Sequence, residues 1–336
     1  MEALEAARHK VGRDVIVIGA SMGGVHALTR LLEALPADLP ASVFVVLHTA
    51  DHDPDLLAQV LGNRSSLPVV RATEREPFAA RHVYVAPPDQ HLIVGHDHVH
   101  VRRGPRENGA RPAIDPLFHS AAANCTTRVI GVVLTGLLND GTAGLRAIKR
   151  CGGLAVVQDP GDAACDQMPR SAIRHVSVDH VLPLDKIPAA LAALALERRP
   201  PPGEVPDDIR AEALIAAQEL RDMEHTGPLS PITCPDCHGT MREITDGELV
   251  RYRCHTGHAY TLESLGAMQA DAWERALYAA YRAQQERSML LRRMAEGGGA
   301  ELLQQRADSY EEGAELLRRL IAHHNASGEL VADRKT

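Results

Sequence analysis

Aromatic residues are scarce in this chain: one Trp, three Phe and six Tyr make up 3% of 336 residues. A core must therefore be filled by Ala, Val, Leu and Ile. No apolar run reaches the ~18 residues of a membrane-spanning helix, so no membrane span is expected. The first residues, Met1 to Asp14, mix charges through a short Ala-rich stretch and lack the apolar centre of a signal peptide, which points to the cytoplasm. Positive charge is not in excess: 36 Lys and Arg stand against 44 Asp and Glu, a net charge of −8. That balance argues against nucleic acid as a partner. The six cysteines form no disulfide framework. Cys125, Cys151 and Cys165 stand singly, while Cys234, Cys237 and Cys254 sit in a metal-like pattern, and a reducing compartment fits both. Apolar residues make up 45% of the chain, enough for a sizeable core, and 336 residues suffice for about two domains with accessories.

Three short apolar runs each lead to a residue with chemistry. Val15–Ile18 leads into Gly19-Ala20-Ser21-Met22-Gly23-Gly24, Val43–Leu47 ends at His48, and Ile130–Leu134 leads into Thr135-Gly136 and then Asp140-Gly141. Continuous β-branched runs read as parallel strands buried on both faces. In an open parallel sheet the ligand crevice lies outside the carboxyl ends of the strands. Ser21, His48 and Asp140 therefore fall on one edge and supply the parts of a nucleophile–base–orienter triad.

From residue 14 to about 196 such strands alternate with helical patterns at Val25–Leu35, Asp53–Leu61, Asp115–Asn124 and Thr142–Cys151. His82–Ala86, Leu154–Val157 and Val181–Leu184 read as further strands, and His91–Val94 with His98–Arg102 as an antiparallel hairpin. The fold class is α/β: a doubly wound, mostly parallel sheet with an antiparallel hairpin. Arg198–Pro206, with prolines at 200, 201, 202 and 206, is a linker, and Asp207–His225 a polar amphipathic helix. Residues 197–229 together connect the catalytic domain, 14–196, to two C-terminal segments. Residues 230–262 form a Cys/His segment and 263–325 a helical hairpin interrupted at Gly297-Gly298-Gly299. In its second half Leu303, Ala307, Tyr310, Ala314, Leu317 and Ile321 repeat as one apolar seam. A self-packed hairpin satisfies that seam; partner binding or self-association is the second reading.

Each triad member also has an ordinary explanation. Glycine-rich strand–helix turns cradle phosphates, but Gly19–Gly24 is not G-x-G-x-x-G and no Lys follows as in a P-loop. His48 is one of 18 histidines, and Asn139-Asp140-Gly141 is a good turn or helix-capping sequence. The weight lies in all three falling at strand ends.

Gly19-Ala20-Ser21-Met22-Gly23-Gly24 resembles the nucleophile turn of the bacterial chemotaxis protein-glutamate methylesterase family, the CheB catalytic domain. Val83-Tyr84-Val85-Ala86-Pro87-Pro88-Asp89-Gln90-His91-Leu92, Arg111–Ala121, Gln158-Asp159-Pro160 and Met168-Pro169-Arg170-Ser171-Ala172 resemble its later motifs in order. The resemblance covers residues 14 to about 190. It implies Ser21, His48 and Asp140 as the catalytic residues and hydrolysis of glutamyl methyl esters, with glutamine deamidation in some members. It implies the cytoplasmic domain of a methylated chemoreceptor, or a similar signalling protein, as partner, and no catalytic cofactor. Two departures border the site. Leu138 stands where the family has glycine, so the loop is strained or reshaped if that position needs positive φ; Met22 stands where threonine is frequent. With the first strand at residue 15, no room for a preceding phospho-receiver domain is expected, nor phosphorylation control in cis.

Cys234-Pro235-Asp236-Cys237 is followed, after sixteen residues, by Cys254-His255-Thr256-Gly257-His258. Two knuckle-like turns joined by a hairpin are what a zinc ribbon needs, and a segment this short cannot fold on an apolar core alone. Cys234, Cys237, Cys254 and His258 are the expected ligands of a structural Zn²⁺, with His255 competing for the fourth place. Four protein ligands leave no open catalytic position.

The residues admit three functional readings: a serine esterase acting on protein glutamyl methyl esters, an ordinary α/β-hydrolase, and a degenerate enzyme serving as a signalling adaptor through the ribbon and helical tail. The chain order Ser, His, Asp, with one strand before the serine, opposes the second, since those enzymes run Ser, acid, His. Leu138 favours the third, and the intact triad opposes it.

Overall fold

Runs of Val and Ile become strands here because both faces of the sheet are covered. The computed structural model describes residues 12–48, 53, 55–219, 227–296 and 300–332. The strands in chain order are β1 (Val15–Ala20), β2 (Ser42–Leu47), β3 (Val69–Arg71), β4 (Glu76–Pro77), β5 (Val83–Val85), β6 (His91–Val94), β7 (His98–Arg102), β8 (Val129–Val133), β9 (Leu154–Gln158) and β10 (His180–Leu182). Seven of them form one sheet in the order β10-β9-β8-β1-β2-β5-β3, parallel at every pairing. Strands β4, β7 and β6 form a separate antiparallel sheet, which contains the expected hairpin.

Alternate residues of β1 enter two cores. Val15 and Val17 join Phe44, Ile114, Phe118, Leu145 and Ile148 on one face. Ile16 and Ile18 join Leu28, Leu31, Val45, Ile187 and Leu191 on the other. Helices α3 (Ile114–Cys125), α4 (Thr142–Arg150) and α5 (Gln167–His175) supply the first face, and α1 (Gly24–Ala34), α2 (Leu56–Gly62) and α6 (Ile187–Leu196) the second. The chain leaves β1 toward β2 on one side and later returns through β8 on the other. The sheet therefore reverses direction at β1, where a doubly wound fold opens its crevice.

The sequence pattern missed the short strands β3 and β4 and the helices α5 and α6. It started the second helix three residues early, at Asp53 instead of Leu56. Val181–Leu184 contributes only the edge strand β10 before turning into a 3₁₀ segment at Leu184–Lys186.

After the irregular stretch from Arg198, α7 (Asp207–Ala216) is shorter than the expected helix to His225; positions 220–226 lie outside the described residues. Strands β11 (Leu229–Thr233), β12 (Thr240–Asp246), β13 (Leu249–Cys254) and β14 (Ala259–Thr261) form a four-stranded antiparallel sheet. Helices α8 (Leu262–Ala295) and α9 (Ala300–Ala332) complete the chain; Gly297-Gly298-Gly299 lies outside the described residues.

The chain divides into two compact units, Met1–Leu265 and Gly266–Thr336. Within the second, Trp273 meets His324 edge-on at 4.6 Å between ring centroids, and Arg292 pairs with Asp308 at 3.2 Å and with Glu311. Early α8 thus meets late α9, so the two helices run antiparallel. The seam turns inward in part: Ala307 and Ala314 are buried, whereas Tyr310 lies at the surface beneath the Arg287 guanidinium.

Candidate active site

Ser21 is the first residue after β1. Its N–H donates to the Thr135 carbonyl at 3.0 Å, and its own carbonyl accepts from Gly24 N–H at 2.8 Å as the chain turns into α1. Gly23 has φ +78°, and a Cβ there would lie 2.8 Å from Ala164 Cβ, so this turn needs glycine on both counts. The Thr135 hydroxyl donates to the Met22 carbonyl at 2.9 Å and holds the turn from the β8 side. Gly136 allows that loop to lie against Ser21: a Cβ on it would be 2.1 Å from Met168 Sδ and 2.8 Å from Ser21 Cβ.

His48 follows β2, its N–H bonded to the Ala20 carbonyl at 3.2 Å. Its Nδ1 lies 3.2 Å from Ser21 Oγ and its Nε2 2.8 Å from Asp140 Oδ2. With the proton on Nε2, donated to Asp140, the Nδ1 lone pair faces the serine hydroxyl. The ring is turned relative to the familiar protease arrangement, in which Nε2 faces the serine, but either nitrogen can accept a proton when the other is held as a donor. The three residues expected from the sequence are thus in one hydrogen-bonded line.

Asp140 is buried in the loop between β8 and α4, beside the N-terminus of α3. Its Oδ2 accepts from Ile114 N–H at 2.7 Å, and its Oδ1 from Asn108 Nδ2 at 3.0 Å, Gly141 N–H at 3.0 Å and Asp115 N–H at 3.2 Å. Burial pushes this carboxyl up, but the hydrogen bond and charge of His48, the Ile114 N–H and the Asn108 amide outweigh it and hold Asp140 at about 2. It is therefore ionised at any pH an esterase would meet. Neighbouring Asp115 goes the other way: burial and the Asp140 charge raise it well above the usual carboxylate range.

Backbone N–H groups in the same turns could face an oxyanion. Gly136 N–H is committed to the Cys165 carbonyl at 2.9 Å, and Leu138 N–H to Gln167 Oε1 at 2.8 Å. Met22 and Leu137 carry the neighbouring N–H groups, and both side chains are exposed, at 56% and 40%, giving the rim beside Ser21 an apolar character.

Leu138 has φ +58°, the left-handed conformation for which glycine is suited, so the strain foreseen from the sequence is present. A side chain there costs roughly 1–2 kcal/mol. Leu138→Gly is expected to raise stability by about 1 kcal/mol after allowance for glycine's greater freedom when unfolded. Thermal unfolding of the two proteins measures this, and an unchanged or lower midpoint would show that Leu138 recovers its strain by packing.

Several residues that hold the site were not found from the sequence. Gln158 Oε1 accepts from Thr135 N–H at 2.9 Å. Buried His91 accepts on Nδ1 from Ala113 N–H at 3.1 Å and donates from Nε2 to the Pro105 carbonyl at 2.8 Å, fixing the approach to α3; burial keeps it below the usual histidine range. Asn108, in an Asn-Gly pair that reads as an ordinary turn, touches both buried carboxylates.

A second constellation lies in the β11–β14 segment. The ligand atoms of Cys234, Cys237, Cys254 and His258 all lie within 4.8 Å of one another. Cys237 Sγ is 3.6 Å from Cys254 Sγ, and His258 Nδ1 is 3.5 Å from Cys254 Sγ and 3.7 Å from Cys234 Sγ. Tetrahedral bonds of ~2.3 Å to sulfur and ~2.0 Å to nitrogen require separations of about 3.5–3.8 Å, which these three separations match. His258 belongs to it; His255 is exposed and outside it.

The cysteine-bearing segment is fastened to the sheet domain by buried charge. Arg253 donates to Glu107 Oε1 at 2.9 Å and pairs with Glu212 of α7, while Arg251 donates to Glu212 Oε1 at 3.0 Å. Burial pushes Glu212 up, but the two guanidinium charges prevail and hold it at about 2.

A family model described as CheB methylesterase matches residues 16–191. A protein of Anaeromyxobacter dehalogenans named protein-glutamate methylesterase/protein-glutamine glutaminase 2 is 42% identical over 194 residues, 57% of this chain and 57% of that relative. A relative from Leptospira interrogans is 41% identical over 175 residues, 52% of this chain and 91% of its own. The crystal structure of the Thermotoga maritima CheB methylesterase catalytic domain matches with a TM-score of 0.53 and 34% identity, covering 55% of this chain and all of that one. The chain spans little more than half the length of the Anaeromyxobacter relative. The matched stretch contains β1, β2 and β8 with the serine, histidine and aspartate placed at their ends, and by that stretch this chain belongs to the CheB methylesterase family.

Proposed function

We propose that this protein is a protein-glutamate methylesterase, hydrolysing glutamyl methyl esters on the cytoplasmic domain of a methylated chemoreceptor or a similar signalling protein. The observation that carries the reading is the unbroken hydrogen-bonded line Ser21–His48–Asp140 at the reversal point of the sheet. Ser21 Oγ attacks the ester carbonyl while His48 Nδ1 takes its proton. Asp140 holds Nε2–H, fixes the tautomer and stabilises the imidazolium. The N–H groups of Met22 and Leu137 are the donors we assign to the oxyanion. His48 returns the proton to the leaving methoxide, methanol departs, and water activated by the same imidazole releases the glutamate and restores Ser21. A glutamine side chain would follow the same path with ammonia leaving. The adaptor reading is disfavoured because a degenerate site has no need of five donors on Asp140.

The experiment is methanol release from methyl-labelled receptor cytoplasmic domains. Release establishes the activity; its absence with every methylated receptor offered, from protein whose Ser21 is reactive toward a phosphonate, points to another ester or amide.

Cys234, Cys237, Cys254 and His258 are the residues we assign to a structural zinc ion. Filling all four positions, they would use it to fix the fold of residues 230–262 and leave none for chemistry. About one equivalent of zinc is expected per chain, released on thiol modification and lost in Cys237→Ser. His255→Ala should retain it and His258→Ala should not. The functional division we adopt is a catalytic domain at 14–196, a connector at 197–229, the ribbon at 230–262 and a helical tail at 263–325. No helix among the described residues is long and apolar enough to cross a membrane, which accords with a cytoplasmic setting. Self-association through the tail would use apolar residues that the hairpin leaves exposed, such as Met289, Leu290 and Leu316.

A further inference from the structure

We propose that Asn108 is a positioning residue for Asp140, and that the Thr261–Ser264 turn sets it, so that the segment after the cysteine cluster is built into the control of the triad. The inference rests on Ser21, His48 and Asp140 working as a triad. Asn108 sits 32 residues before Asp140 and 153 before Thr261 in the chain, yet bonds to both.

The Asn108 amide is fully used. Its Nδ2 donates to Asp140 Oδ1 at 3.0 Å and to Asp115 Oδ2 at 3.0 Å. Its Oδ1 accepts from Thr261 N–H at 3.0 Å and from the Ser264 hydroxyl at 2.7 Å. The amide has one acceptable orientation, because turning it would set its oxygen against the Asp140 carboxylate and its NH₂ against the Thr261 N–H donor. Asparagine also suits the backbone here, which has φ +51°. Two donors and an acceptor oxygen on so short a side chain are available from no other residue type.

The grip on Asn108 comes from strands β13 and β14 and the turn that follows them. Asn108 N–H donates to the Ala259 carbonyl of β14 at 2.7 Å, and the preceding Glu107 receives Arg253 of β13. Thr261 and Ser264 are fully buried. A second arm reaches the residue beside Asp140: the Thr261 hydroxyl donates to Asn139 Oδ1 at 2.6 Å, and Asn139 Nδ2 donates to Glu263 Oε2 at 2.7 Å. The turn therefore holds Asp140 from both sides, through Asn108 and through Asn139, without touching substrate. Had it merely packed against the sheet domain, apolar contact would have sufficed, and no buried amide would need satisfying from both ends.

Removing the turn's hydroxyl groups should leave the three triad residues present but loosely placed. The test uses the full chain: wild type, Asn108→Ala, the Thr261→Val/Ser264→Ala double variant, and Thr261→Ser. The readouts are the rate at which a serine-directed phosphonate labels Ser21 across pH, thermal stability, and kcat and KM for methyl-ester release. Asn108→Ala is expected to label about 10- to 100-fold more slowly, the loss of one hydrogen bond to a charged group, and the double variant about 3- to 10-fold more slowly, because the hydroxyl groups it removes donate to the neutral amides of Asn108 and Asn139. The acid limb of Asn108→Ala should move to higher pH, because an Asp140 with one donor fewer holds the protonated imidazole more tightly, and that of the double variant should move the same way by less, as its Asn108 is loosened but kept. KM should stay near wild type while kcat falls, and Thr261→Ser, which keeps the hydroxyl, should show neither the slower labelling nor the shifted limb of the double variant. Labelling of the double variant at the wild-type rate, with an unmoved limb, would overturn the proposal. If Asn108→Ala does not fold, Ser264→Ala alone decides in the same way. Labelling of wild-type Ser21 without methanol release refutes the methylesterase reading and leaves this comparison intact; no labelling of the wild type refutes both.

Discussion

Ser21→Ala is expected to lower methanol release by at least ~10³-fold, and His48→Ala by a comparable factor. The two losses should not add: once the nucleophile is gone, the base has no proton to take, so the double variant should match either single one. Asp140→Asn should also be severe, for a reason visible in its partners. The carboxylate accepts Asn108, Ile114, Asp115, Gly141 and His48 at once. An amide in its place would turn its NH₂ either toward His48, reversing the tautomer, or toward backbone N–H donors with no acceptor. The wild-type pH profile should show no limb from Asp140, because a carboxyl held at about 2 titrates below any assay. Steady-state kinetics of the purified variants, with circular dichroism to confirm folding, measure all of this. An Asp140→Asn enzyme retaining a tenth of the activity would mean that Asp140 is structural and that His48 is oriented by its surroundings alone.

Legibility followed burial and locality. Strands β1, β2, β8 and β9 could be read because burial on both faces demands continuous Val and Ile, and the residues following the first three then fell at one edge by topology alone. Strands β3 and β4 could not be read: two or three residues at a sheet margin, half-buried at best, carry no period. Helix α6, Ile187–Leu196, is apolar almost all round, so it lacks the two-faced pattern by which a helix announces itself. The Cys/His spacing was legible because the residues that come together in this cluster lie on two short turns of one local segment. Choosing His258 over His255 was not, since it depends on which of two nearby imidazoles the β13–β14 turn directs inward. Asn108 lay furthest from reach: its role exists only when β14 and the loop before α3, about 150 residues apart, come together. A buried amide joining two carboxylates to a distant turn leaves no mark that any local pattern can carry.

The largest loss of stability away from the triad is expected at Glu212. Its carboxylate receives Arg251 and Arg253 in a setting where all three side chains, and Glu107 with them, are buried. The four charges cancel as two positive and two negative, with His119 buried nearby and kept below the usual histidine range by that burial. Glu212→Ala leaves one positive charge in excess inside the structure, with Arg251 deprived of the carboxylate it donates to, and should cost about 3–5 kcal/mol. Glu212→Gln keeps the volume but not the charge and should cost nearly as much. The sign of the pH effect is set by Glu212's depressed pKa. Unfolded, this carboxyl titrates at about 4.3; folded, at about 2. Its stabilising contribution is therefore complete above about pH 4.3 and is lost as pH falls through 2. Wild type should thus lose stability in acid over this window more steeply than Glu212→Gln, which has no such proton to bind. Thermal unfolding followed between pH 2 and 7 measures both the size and the window. Because the pairs join α7 and β13, and not two positions of one element, the loss should surface first as release of residues 230–262, seen as faster amide exchange in β11–β14 than in β1 or β8. If exchange instead rose equally in both sheets, the buried charges would be supporting one cooperative fold, and the ribbon segment would have no separate attachment to lose.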